Sequence, residues 1–62
     1  MCHLYDIDSD NKAIKHSSFK QDSVQDAIAT AQCECDSPIS WESEKGITKG
    51  FIDNEMVYEI VE

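Results

Sequence analysis

Arginine is absent from this chain of 62 residues, and all five basic side chains are lysines. No guanidinium fork is therefore available for bidentate pairing with guanine edges or phosphates. Proline occurs once and glycine twice, which excludes a flexible Gly-rich or stiff Pro-rich linker. No apolar run approaches the roughly 20 residues of a membrane-spanning helix. The opening Met1-Cys2-His3-Leu4-Tyr5 carries neither a basic stretch nor an apolar one, so an export signal is not expected. Cysteine is present three times, an odd number. Two of the three sit too close together in Cys33-Glu34-Cys35 to staple a long loop, and free thiols in a reducing cytoplasm are expected.

What the chain does have is negative charge. Thirteen acidic residues against five lysines give a formal charge of −8. The hydrophobic fraction of 40% nevertheless argues for a folded chain rather than an acidic tail. The charge is uneven along the sequence. Asp22, Asp26, Glu34, Asp36, Glu42 and Glu44 fall in a stretch, residues 21–44, that contains no basic residue. Direct nucleic-acid binding is disfavoured, because affinity for phosphates needs cations. A basic partner is favoured instead. One single compact domain, residues 1–62, is the expectation for this length. It would bury only about 60% of its unfolded surface, so stability should be marginal and help from a partner or a second copy is expected.

The clearest element is a helix. Ser23 and Asp26 fit a capping box, with Ser23 at the N-cap. Val24, Ala27, Ile28, Ala31 and Cys35 form one apolar stripe, and the alanines let that stripe lie close to a sheet. Asp36-Ser37-Pro38 ends the helix. After it, three strands are expected. A two-residue turn at Asp53-Asn54 pairs Phe51 with Met56 and Ile47 with Ile60. A three-residue loop, Glu44-Lys45-Gly46, pairs Trp41 with Lys49 and Ile39 with Phe51, so that Trp41, Ile47 and Phe51 share the buried face. Before the helix, a turn at Asp10-Asn11 pairs Ile7 with Ile14, Asp6 with Lys15, Tyr5 with His16 and His3 with Ser18. Tyr5, Ile7 and Ile14 then face the core. The fold class is α+β in ββαβββ order, an antiparallel sheet with a single helix packed on one face. The other face should carry Ser40, Glu42, Thr48, Gly50, Ile52, Glu55, Val57 and Glu59.

Several motifs invite sharper readings. Asp6 to Asn11 resembles the start of a calcium loop, but Ser17 stands where the bidentate Glu belongs and Asn11 where the Gly belongs. A hairpin explains the same residues without an ion. Cys2, His3, Cys33 and Cys35 offer a Cys₃His zinc set, although a C-x-C pair lacks the usual spacing. The simpler reading packs Cys35 on the helix stripe with Cys33 beside it as a small hydrophobe. His3 and His16 are the only side chains that titrate near neutrality, and a fold this small can hardly shape a catalytic cleft around them. Trp41 is expected in the core rather than at an exposed hot spot.

The sequence thus points to a non-enzymatic, acidic protein-binding module without metal or cofactor. Carboxylates at alternate strand positions lie about 7 Å apart. Those one helical turn apart lie about 6 Å apart. The rows would therefore match about every second phosphate of a strand whose charges repeat at about 3.4 Å, as in a nucleic-acid mimic. Asp22, Asp26, Glu34, Asp36, Glu42 and Glu44 are the expected partner-binding residues. The partner would be a larger protein with a basic surface. Size, acidity and element order look like the small inhibitors that phages and mobile elements make, a resemblance of composition rather than of motif. It implies occlusion of a basic, nucleic-acid-handling cleft. The alternatives are a small domain stabilised by zinc on the Cys/His set, and a homodimeric accessory subunit joined through a strand edge.

Overall fold

The computed structural model describes residues 1–8 and 10–62. Its elements are β1 (Cys2–Ile7), β2 (Ala13–Gln21), α1 (Val24–Glu34), β3 (Ser40–Glu44), β4 (Ile47–Ile52) and β5 (Glu55–Val61). The five strands form one antiparallel sheet in the order β2-β1-β5-β4-β3, and α1 packs over β1, β2 and β5. The expected α+β class and ββαβββ order are therefore present. Among the described residues no helix is long and apolar enough to cross a membrane.

The helix starts where its cap chemistry requires. Ser23 is extended at φ −149°, and its Oγ accepts the Asp26 backbone N–H at 3.2 Å. Ala27 and Ala31 are fully buried, which brings the helix close to the sheet. Beneath them lie Leu4 and Ile60, paired across β1 and β5, and Cys2. Burying side chains such as Leu4 and Ile60 contributes about 1.5–3 kcal/mol each.

Strand register differs from expectation in three places, each for a physical reason. Lys45 (φ 51°) and Gly46 (φ 80°) form a two-residue turn, pairing Glu44 with Ile47, in place of the three-residue loop. Trp41 consequently pairs with Gly50, not Lys49, and Ser40 rather than Ile39 pairs with Phe51. Thr48 and Gly50 lie under the core, whereas Ile47 and Phe51 point to the open face. Second, the Asp53-Asn54 turn forms and pairs Phe51 with Met56, but Val57 is an extra residue. The bulge there moves Ile47 from Ile60 to Val61. Third, the first hairpin has a longer loop. Asp8 Oδ1 accepts from the backbone N–H groups of Asp10 and Lys12, both at 2.9 Å. Ile7 then pairs with Ala13, Asp6 with Ile14 and Tyr5 with Lys15. Asp6, not Tyr5 or Ile7, turns toward the helix side, and Ile14 is 50% exposed beyond the helix's reach.

Farther along the same strand pair, the step from Tyr5 to His3 is matched by a step from Lys15 to Lys20. Residues 16–19 bulge out of the ladder, and His16 swings under the end of the helix, 4% exposed. His3 faces Lys20, not Ser18.

Candidate interaction surface

One end of the molecule collects the start of β1, the ends of β2 and β5, the start of α1 and the β3–β4 turn. Cys2 pairs with Gln21, His3 with Val61 and Ile47 with Val61, and the Glu62 N–H donates to the Gly46 carbonyl at 3.0 Å. Two adjoining grooves open there and share Val24 and Glu62. One is bordered by Asp22 and Met1, the other by Glu44 and Ile47. Met1 is 81% exposed. Asp26, one turn into the helix, belongs to the same field. Burial raises the Cys2 thiol pKa, the N-terminal amine opposes the rise, and the Glu62 and Asp26 carboxylates add to it. The result is two joined grooves lined by Met1, Val24 and Ile47, bordered by Asp22, Glu44 and Glu62 and by Lys45 on the β3–β4 turn, with Asp26 close enough to act on Cys2.

The six sequence-predicted acids are all exposed, but the structure does not gather them on one surface. Asp22, Asp26 and Glu44 come together at this end. Glu34 and Asp36 follow the helix to the opposite end, and Glu42 lies on the open sheet face opposite Lys49. Glu62 joins the group and was missed. The cue was available: a two-residue Lys45-Gly46 turn brings the last residue of the chain beside Gly46.

Glu34 has a different neighbourhood. Its carboxylate accepts a hydrogen bond from His16 Nε2. His16 Nδ1 accepts the Ser18 backbone N–H at 3.0 Å, which assigns the ring proton to Nε2. Asp6 and Tyr58 lie near this pair. Burial raises the Asp6 carboxyl pKa; His16 opposes the rise and Glu34 adds to it. Burial also raises the Tyr58 phenol, with Asp6, Glu34 and Cys35 reinforcing the rise. Both imidazole nitrogens are occupied, so His16 holds the β2 bulge to the helix end and has no lone pair free for a substrate proton.

The Cys/His set is not assembled. Cys2 is buried under the helix, while His3, the next residue on the strand, points to the open face and stacks on Phe19 at 5.6 Å. Cys33 is exposed, not packed as a small hydrophobe, and Cys35 is half-buried at the helix C-cap. Among the described residues no group of three or more His, Cys, Asp or Glu side chains converges as metal ligands would. The calcium-like segment includes Ser9, which lies outside the described residues; Asp8 within it closes the hairpin loop. Trp41 packs on Tyr58 and against the core, as expected. Comparisons with protein-family models, curated proteins and solved structures return no match.

Proposed function

We propose that this protein is a non-enzymatic binding module that docks its anionic end onto a basic surface of a larger protein and occludes it. The observation that supports this most is the pair of grooves lined by Met1, Val24 and Ile47 and bordered by Asp22, Glu44 and Glu62, with the Asp26 carboxylate adding to the field there. An apolar centre with a polar, charged rim is the anatomy of a protein interface. None of these four carboxylates has a cation within ion-pair distance among the described residues. Lys45 and the N-terminal amine border the same grooves, and four carboxylates against those two cations leave net negative charge for a lysine- or arginine-bearing partner. The lack of arginine and the negative charge argue against direct contact with nucleic acid. A partner that itself handles nucleic acid carries the complementary basic cleft, and an inhibitor of the phage or mobile-element type would act by filling it. Three free thiols suit a reducing compartment such as the cytoplasm.

The test is capture of the partner by cross-linking in the native cell, followed by association kinetics with the purified pair. Charge reversal at Asp22 and Glu62 should slow association by about tenfold or more while leaving the fold intact, and salt should slow the wild type similarly. Unchanged kinetics in both arms would overturn the electrostatic reading.

A further inference from the structure

The helix covers one face of the sheet and leaves the other open, and the register orders that open face in a particular way. One cross-strand row runs Lys20, His3, Val61, Ile47, Glu44 from β2 to β3; the next runs Lys15, Tyr5, Glu59, Lys49, Glu42. A third includes Met56, Phe51 and Ser40. Both complete rows begin on a lysine at one edge strand and end on a glutamate at the other. Val61, Ile47, Tyr5, Phe51 and Met56 between them are only half-buried. Lys15 and Lys20 are held at the β2 edge by the Phe19 ring, with Nζ atoms 5.0 Å and 5.9 Å from its centroid.

We propose that two copies of this chain pack open face to open face, related by a twofold axis running along the central strand β5. Rotation about that axis keeps each row at its level and exchanges the sheet edges. Lys15 and Lys20 of one copy then lie over Glu42 and Glu44 of the other, and Val61 meets Val61. A twofold axis across the strands would instead set lysine on lysine and glutamate on glutamate. Charge complementarity therefore selects the aligned sandwich, a packing that sheets adopt with strand directions within about 30°. Edge-to-edge growth is disfavoured, because like carboxylates meet when β3 joins β3 and the bulge interrupts β2.

Five strands about 4.8 Å apart and three rows about 7 Å apart give a face of about 20 Å by 20 Å. Two such faces bury on the order of 1,000 Å² in total, which is the size of a weak, reversible dimer. At the axis Glu59 meets its own copy, each flanked in its own sheet by Lys49.

Sedimentation equilibrium of the full chain from micromolar to millimolar concentration tests the proposal. Glu44 and Ile47 belong to both this face and the anionic end, so the variants are placed at Lys15 and Glu42, which line neither groove. Loss of the dimer in Lys15→Glu with basic-peptide binding at Asp22 and Glu62 retained separates this proposal from the proposed function. The wild type should show a monomer–dimer equilibrium. Lys15→Glu should weaken it about tenfold, and combining Lys15→Glu with Glu42→Lys should restore it. Lys12→Glu, an equal change of net charge in the β1–β2 loop, should have little effect, and Glu59→Gln should tighten the dimer. Circular dichroism confirms that each variant is folded. A monomer throughout, open-ended growth beyond the dimer, or equal weakening by Lys12→Glu and Lys15→Glu would overturn the proposal.

Discussion

Gly50 of β4 lies directly beneath the indole of Trp41 on β3. A Cβ built at position 50 would sit 2.7 Å from Trp41 Cζ3 and 2.9 Å from Ile39 Cγ2. Replacing Gly50 with Ala should therefore push the indole off the sheet and destabilise the fold by about 1–3 kcal/mol. Urea unfolding followed by Trp41 fluorescence reads both the loss of stability and the change in the indole's surroundings. Unchanged stability and spectrum would show that Trp41 does not pack there.

That same pair shows where the sequence was legible and where it was not. The helix, its Ser23 cap and the Asp53-Asn54 turn are set by local chemistry, and all were readable, although the helix stops at Glu34 with Cys35 already extended, short of the Asp36-Ser37-Pro38 stop. Face assignment in β3 and β4 was not, because side-chain size there points to the wrong face. Burying Ile47 and Phe51 together with Trp41 requires a three-residue loop. The deciding residue was Gly50, since a glycine inside a strand marks the close approach of another group. Given Trp41 on Gly50, Lys45-Gly46 becomes a two-residue turn, and Ile47 and Phe51 must face outward. The anionic end was half legible. Asp22, Asp26 and Glu44 lie in the acid-rich stretch, but Glu62 joins them only through strand pairing. The His16–Glu34 contact was illegible, because it depends on a bulge with no glycine to announce it.

His16 and Glu34 should be unequal in a stability assay. His16→Ala leaves the Ser18 N–H without its acceptor in a half-buried site, and a loss of about 1–3 kcal/mol is expected. Glu34 has a side chain 48% exposed, so Glu34→Ala should lose about 1 kcal/mol or less. Denaturant melts of the two variants check the order; a larger loss for Glu34→Ala would contradict it.

The three thiols should label in order of exposure. Cys33 is exposed and should react first, followed by half-buried Cys35. Cys2 is buried, and its raised pKa keeps it as the less nucleophilic thiol. It should react only when the chain opens. Time-resolved alkylation with mass spectrometry gives the sequence directly, and early labelling of Cys2 would contradict the packing of β1 under the helix.

Asp6 carries a definite pH sign. Its carboxyl has a higher pKa folded than unfolded, chiefly through burial. The folded state therefore binds this proton more tightly, and Asp6's contribution to stability is greatest below the unfolded value and lost as pH rises through the folded one. Asp6→Asn should accordingly help stability more at neutral pH than in acid below the ordinary aspartate range. Paired melts at the two pH values test this; a benefit confined to acid would reverse the sign.

Docking through the anionic end is tested most directly by a nuclear magnetic resonance titration of the isotopically labelled protein with a lysine- and arginine-rich peptide. Saturable shifts centred on Asp22, Val24, Glu44 and Glu62 are expected, abolished by high salt and by charge reversal at Asp22 and Glu62. Shifts spread evenly over all the carboxylates, or no saturation at that end, would contradict it.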